Sequence, residues 1–148
     1  LCLYVGSRDE ITGDDVAALV GQSREEKIFA VLDAAGMGQP RRAIELWQQL
    51  LEGDPGAQFR ALGGMAFSLR RWLEAAREHA AGQPVRQLAP KLMMWGRERE
   101  LEQILRRMSP RRLRGALAAL ADVDAQAKVG LRSIETGIEH VLLRLGTG

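Results

Sequence analysis

Apolar residues recur at intervals of three or four along almost the whole chain. The longest such run lies between residues 58 and 80, where apolar side chains occupy positions 62, 66, 69, 73, 76 and 80. This spacing places them on one face of a helix, whereas no segment shows the apolar–polar alternation, rich in β-branched residues, that is typical of a strand. The pattern predicts about eight helices joined by short loops. The expected fold is therefore an all-α helical bundle.

Proline and small polar residues predict where several of these helices begin. Pro40 follows the sequence GMG and suits the first position of a helix. Ser109 and Pro110 together predict the start of a helix that runs to Gly130, and Ser133 is expected to cap the last helix. The second half of the chain is thus expected to hold two well-defined helices.

Two other regions are each predicted to contain a pair of helices. Near the beginning, Thr12 predicts one helix start, and Ser23 with Glu26 forms a capping box that predicts another. Further along, a glycine separates expected helices at about 85–95 and 97–107.

Glycine and tryptophan residues raise questions of packing. Gly63 and Gly64 lie inside the long predicted helix, where they predict either a kink or a close approach by another backbone. Trp47, Trp72 and Trp95 lie on different helices, and each is expected either to pack in the core or to anchor a partner.

The length gives room for one domain, or for one domain plus a fragment of another, and no segment is predicted to span a membrane. A chain of 148 residues can bury a substantial core. Cys2 is the only cysteine, so no intramolecular disulfide is possible, and we expect a reducing compartment, the cytoplasm. The longest stretch without charge, residues 61–69, is far shorter than the ~20 apolar residues of a membrane span. The chain starts with LCLYVGSRDE and no Met, and we expect that it belongs to a larger protein.

No motif for catalysis, cofactor binding or metal binding is recognisable. The sequence contains no phosphate-binding loop, no dinucleotide fingerprint, no HExxH and no nucleophile elbow. His79 and His140 have no metal-ligand spacing around them and are expected on the surface. We therefore expect no catalytic residues, no cofactor and no metal site in this chain.

Charge is distributed unevenly along the sequence. Residues 57–114 contain 13 basic and 5 acidic side chains, whereas residues 1–56 contain 5 and 10, and residues 115–148 contain 3 and 4. Within the basic region, seven arginines are candidates for contact with DNA or with a partner protein: Arg97, Arg99, Arg106, Arg107, Arg111, Arg112 and Arg114. Guanidinium groups suit phosphate contacts, but they also form solvated ion pairs with glutamates one turn away. Both interpretations remain open from the sequence.

Asp124 and Lys128 lie four residues apart in the helix that begins at Pro110. In this order an acid and a base stabilise an exposed helix by about 0.2–0.5 kcal/mol. Either Val123 or Asp124 takes the inward position at this point of the pattern, so the pair could also be partly buried, where loss of one partner would cost more. We interpret it as a structural pair and not as a catalytic dyad.

Three segments together resemble a known family. They are YVGSRDEITGDDVAALVGQSREEKIFAVLDAAGMGQPRRAIELWQQLL, SPRRLRGALAALADVDAQAKVGL and IEHVLLRL. In order and spacing they are similar to the delta subunit of the bacterial DNA polymerase III clamp loader, which also carries an acid and a lysine where Asp124 and Lys128 stand. The resemblance is thin over residues 82–108, so no DNA-contacting role is transferred to the arginines.

The resemblance implies a domain organisation and a role in DNA replication. Residues 1–21 would end a small helical domain of the AAA+ lid type, and residues 22–148 would form a helical collar domain. The collar joins a ring of five subunits, with the motor and delta-prime subunits as partners. The sliding clamp is contacted by an N-terminal domain that this chain lacks, and primer–template DNA by the assembled complex. The parent would be a subunit of a DNA-directed DNA polymerase, a nucleotidyltransferase holoenzyme, although no active site is expected here.

The alternative from the residues is a helical nucleic-acid-binding domain that uses residues 97–114.

Overall fold

The computed structural model describes the backbone of residues 13–147 and the side chains of residues 25–147. Over the described backbone the fold is all-α, as predicted, with seven α-helices and one 3₁₀ turn and no β-strand. The helices are α1 (Gly13–Gly36), α2 (Pro40–Gly53), α3 (Ala57–Ala80), α4 (Val85–Leu88), α5 (Glu98–Arg107), α6 (Pro110–Lys128) and α7 (Ile134–Thr147), and the 3₁₀ turn Ala89–Leu92 follows α4 directly.

The helix starts predicted at Pro40, after Ser109 and after Ser133 are confirmed. Pro40 is the first residue of α2, and the Ser109 hydroxyl oxygen accepts a hydrogen bond from the backbone N–H of Arg112 at 3.2 Å. The Ser133 hydroxyl oxygen likewise accepts from the N–H of Thr136 at 3.2 Å. These bonds satisfy backbone donors that lack a partner in the first turn of a helix.

The division of the N-terminal region into two helices is wrong. The backbone is helical without interruption from residue 13 to residue 36, through residues 21–23, so Ser23 and Glu26 do not begin a helix. A glycine within a helix costs only about 1 kcal/mol relative to alanine, so Gly21 is too weak a signal to end one. Thr12 lies outside the described residues. The proposed domain boundary after residue 21 falls inside α1 and stays a prediction.

The predicted helix over residues 85–95 is also wrong in its second half. The α-helix ends at Leu88, and the chain continues as a 3₁₀ turn to Leu92. Pro90 has no N–H to donate to the preceding turn, and Met93 has a left-handed backbone with φ of 56°. The next helix begins at Glu98, close to its predicted position.

The core is a single cluster of apolar side chains to which every long helix contributes. Helix α3 packs against α1, α6 and α7, and α7 also packs against α1, α2 and α6. Helix α2 packs against α1 as well. Trp47 and Trp72 lie in this core, whereas Trp95 is 65% exposed. Close helix contacts need glycine at certain positions: a β-carbon on Gly137 of α7 would stand 2.7 Å from the methyl groups of Val123 of α6.

Candidate interaction surfaces

The arginines of residues 97–114 fall into two groups. Arg97, Arg107 and Arg112 are partly buried and bonded to other parts of the bundle. The other four, Arg99, Arg106, Arg111 and Arg114, are exposed on α5 and α6. Among them, Arg106 pairs with Glu102 at 2.7 Å, in the i,i+4 geometry of a solvated helix face. Sequence reasoning treated the seven as one set, and the structure divides them.

Arg107 joins the C-terminal ends of two helices. Its guanidinium donates to the carbonyl oxygens of Ala35 at 3.4 Å and Gly36 at 3.2 Å, at the end of α1. It also donates to Leu145 O at 3.4 Å and Gly146 O at 3.1 Å, near the end of α7. Carbonyl groups at a helix C-terminus lack intrahelical partners and carry partial negative charge, so a cation is well placed there.

Arg112 acts on the same end of α7. It donates to the carbonyl oxygen of Arg144 at 3.3 Å and to that of Leu145 at 3.2 Å. Its other terminal nitrogen donates, at 2.8 Å, to the carbonyl oxygen of Arg107, and Arg107 is the last residue of α5. Together the two guanidinium groups connect the ends of α1, α5 and α7, and we refer to Arg107 and Arg112 as the arginine clasp.

Arg97 links α1 to the start of α5 through two carboxylates. It donates to Asp33 at 3.1 Å and, through Nε, to Glu100 at 2.7 Å. Burial raises the pKa of the Asp33 carboxyl above its ordinary value, against the opposing hydrogen bond and positive charge of Arg97. These three groups satisfy one another across the junction of the two helices.

The Asp124–Lys128 pair forms on the surface of α6. Its ammonium and carboxylate groups are 2.8 Å apart, and the side chains are 73% and 49% exposed for Lys128 and Asp124, respectively. Val123 takes the inward position instead and is buried against α7. Lys128 is exposed and Asp124 is about half exposed, so the two form a solvent-accessible ion pair and not a buried one.

An open cleft with a volume of about 780 Å³ was not foreseen from the sequence; α1 and α3 supply most of its lining, and α2, the 3₁₀ turn and the start of α5 supply the rest. Phe29 of α1, Phe67 of α3 and Met93 beyond the 3₁₀ turn line it, and a smaller adjoining hollow shares these three side chains. We call this surface the α1–α3 cleft. The available signal was the glycine pair of α3, because Gly64 lies on the wall of the adjoining hollow.

Other chemical signals are sparse in the described part of the chain. The His79 ring nitrogen Nδ1 lies 2.9 Å from the carbonyl oxygen of Gln83, and Nδ1 of His140 lies 3.2 Å from the guanidinium of Arg132. Among residues 25–147, no three His, Cys, Asp or Glu side chains are grouped so that they could hold a metal ion. Within the described helices, none is both long enough and apolar enough to cross a bilayer.

The structure places the chain in the class of all-α domains, with charged side chains that join helix ends and an apolar cleft open to solvent. Residues 25–145 match the family model described as DNA polymerase III delta subunit, C-terminal domain, and the chain belongs to this family. The DNA polymerase III subunit delta of Bacillus subtilis (strain 168) is 29% identical over 147 residues, which cover 98% of the chain. The chain spans 42% of the length of that relative. No solved structure matches the chain.

Proposed function

We propose that this chain is the collar-type domain that holds a delta subunit within the five-membered clamp loader of a replicating bacterium. The match to the delta C-terminal family over residues 25–145 carries the proposal. In this role the domain binds the motor and delta-prime subunits of the loader. A separate N-terminal AAA+-like domain of the whole subunit opens the sliding clamp, and primer–template DNA is engaged by the assembled complex.

The physical construction of the domain supports an assembly role. A collar must transmit motion between subunits, and it can do so only if its helices move as one body. The arginine clasp joins the ends of α1, α5 and α7, and Arg97 joins α1 to α5. These links cross loops and add directional bonds to a continuous apolar core. A rigid bundle of this kind transfers a force applied at one face to another.

Co-purification tests the proposal. The chain, with an affinity tag, is mixed with the motor and delta-prime subunits of its own loader, and the complex is isolated by size-exclusion chromatography. We expect a stable complex that contains the chain. A chain that shows full helical circular dichroism but elutes separately from both subunits would contradict the assembly role.

A second candidate function is nucleic-acid binding through the exposed arginines. It is favoured by the position of Arg99, Arg106, Arg111 and Arg114, all solvent-exposed on the consecutive helices α5 and α6. Arg107 and Arg112 donate hydrogen bonds to backbone carbonyls within the bundle. These two residues are therefore poor choices for a test of DNA contact. Their replacement would disturb the bundle itself.

A titration with primer–template DNA at two salt concentrations separates the two functions. Four phosphate contacts predict a fall in affinity of roughly 100-fold between about 50 and 200 mM salt. Replacement of the four exposed arginines by glutamine should then abolish DNA binding and leave subunit assembly intact. Unchanged DNA affinity in the quadruple variant would rule out this surface.

A further inference from the structure

An open groove follows the line along which α6 packs beside α7. It consists of two adjoining hollows, with volumes of about 250 and 110 Å³, which share Ala119, Val141 and Arg144. We call this surface the α6–α7 groove. On α6 its lining runs from Arg111 to Gln126, roughly 22 Å at a rise of about 1.5 Å per residue. A peptide in extended conformation, at about 3.3 Å per residue, would span it with about seven residues.

One end of the groove concentrates positive charge. The larger hollow is lined by Arg111, Arg112 and Arg144, and no acidic side chain of the described residues lines it. The Arg112 guanidinium is held in place, because it donates to the carbonyl oxygens of Arg144 and Leu145. Arg111 and Arg144 are exposed, and within residues 25–147 neither is paired with a carboxylate. Three positive charges without a carboxylate among them attract an anionic partner.

The other end of the groove is more nearly balanced in charge. The smaller hollow adds Arg132 and His140, and a guanidinium nitrogen of Arg132 lies 3.2 Å from Nδ1 of His140. It also adds Asp122, which is the one acidic residue in the described lining of the groove. The charge that attracts an anionic occupant therefore lies mainly at the end with Arg111 and Arg144.

The floor of the larger hollow is apolar and is built from small side chains on the α6 side. It consists of Gly115, Ala116 and Ala119 of α6 with Val141 and Leu145 of α7. In the described part of the chain, a β-carbon on Gly115 would meet no atom within 4 Å outside its own stretch of helix. An apolar side chain of an occupant can therefore pack on this floor while carboxylates beside it reach Arg111 and Arg144.

The lining favours a peptide over a nucleic acid. Single strands bind mainly through aromatic side chains on which the bases stack and through basic groups that follow the backbone. Among the described residues no Phe, Tyr or Trp lines either hollow, and Asp122 would repel phosphates in the second half of the groove. Two carboxylates of a peptide, in contrast, need only the paired donors of Arg111 and Arg144.

We propose that the α6–α7 groove binds an extended acidic peptide segment of a partner protein. Two carboxylates of the segment pair with Arg111 and Arg144, and an apolar side chain next to them packs on the floor at Gly115. The inference does not depend on the proposed assembly role, because binding of a peptide is measured with the subunit alone.

Selection from a phage-displayed library of random heptapeptides tests the chemistry of the occupant. The immobilised full-length subunit should enrich peptides that carry at least two aspartates or glutamates and an apolar residue. The most enriched peptide is then synthesised with a fluorescent label, and its Kd is measured by fluorescence polarisation at two salt concentrations. Binding should weaken as salt rises, because exposed charge pairs are screened. Enrichment of peptides without acidic residues, or no enrichment, would overturn the proposal.

Two double variants test whether the selected peptide binds in the groove. Arg111→Gln with Arg144→Gln removes the two carboxylate partners, whereas Arg99→Gln with Arg114→Gln removes the same charge from exposed positions that do not line the groove. The first variant should weaken binding by at least about tenfold and the second by less than about twofold. Equal losses in the two variants would mean that only the net charge of the subunit matters, and the groove assignment would fail.

A substitution that fills the groove tests the apolar contact. Gly115→Gln places a long side chain over the floor and should weaken peptide binding by at least about tenfold. Gly63→Gln is the matched control, since Gly63 is also an exposed glycine within a helix, α3, with open space around its β-carbon, and it does not line the groove. Both changes favour the helix, and circular dichroism confirms that each variant is folded. Unchanged binding by the Gly115 variant would contradict the proposal. So would a single-stranded oligothymidylate that binds more tightly than the peptide and is lost from the Arg111 and Arg144 variant, because it would assign the groove to nucleic acid.

Discussion

Replacement of Arg107 by alanine should destabilise the domain far more than replacement of its neighbour Arg106. The Arg107 guanidinium makes two bonds of 3.1 and 3.2 Å to helix-terminal carbonyls and two longer ones of 3.4 Å. At about 1 kcal/mol for each of the two shorter bonds, and about 0.3–1 kcal/mol for the charge near the helix ends, the loss is about 2–3 kcal/mol. Arg106 is 75% exposed and pairs only with Glu102 among the described residues, so its loss should cost about 0.5 kcal/mol or less.

Urea unfolding followed by circular dichroism measures this difference. For a domain of this size, about 2–3 kcal/mol corresponds to a fall in Tm of roughly 4–12 °C. Arg107→Lys keeps the charge but lacks the planar set of donors, so it should recover only part of the stability. Equal effects of Arg107→Ala and Arg106→Ala on the free energy of unfolding would refute the reasoning that Arg107 holds helix ends together.

Three further predictions concern single side chains. Gly137→Ala should destabilise the domain by about 1–3 kcal/mol, because the methyl group of the new alanine would clash with Val123. A double-mutant cycle should show that this cost largely vanishes in a Val123→Ala background. Gly63→Ala should raise the free energy of unfolding by about 0.5–1 kcal/mol, because alanine favours the helix and no atom of the described residues lies within 4 Å of the new β-carbon. A lower stability in urea would contradict the absence of a steric clash at this position. Burial raises the pKa of Asp33 in the folded protein above its ordinary value. The contribution of the Asp33 carboxyl to the stability of the fold is therefore fully present below the ordinary pKa and is lost as pH rises through the raised pKa. The free energy of unfolding should therefore fall, relative to an Asp33→Asn variant, as pH rises above the ordinary aspartate pKa of about 3.9, and identical pH profiles would contradict this.

Local signals in the sequence predicted the fold where a residue acts on its own backbone. Pro40, Ser109 and Ser133 each mark a helix start, because their effect on the first turn does not depend on the rest of the molecule. The continuity of α1 through residues 21–23 was missed because a glycine and a serine are weak breakers, which neighbouring turns can override.

Partners distant in sequence explain why the arginines could not be sorted in advance. Arg97 bonds to Asp33, and Arg107 bonds to Gly36, each more than 60 residues away. Arg106, directly beside Arg107, bonds within its own helix. The sequence of neighbouring arginines does not indicate which of them face a helix end, because that depends on how α1, α5 and α7 are arranged in space. The α1–α3 cleft was missed for the same reason, because its walls come from separate helices.

The position of α7 in the bundle has a consequence for how the domain is made. This helix comes after all the other described helices, yet Ile138, Leu142 and Leu145 are buried in the core, and α7 contacts α1, α2, α3 and α6. A ribosome therefore releases the partners of α7 before α7 itself exists. During that interval the apolar faces of at least four helices lack their common neighbour, so the bundle can close only after α7 has been synthesised. A factor that binds exposed apolar surface of nascent chains would therefore bind this domain mainly during that interval.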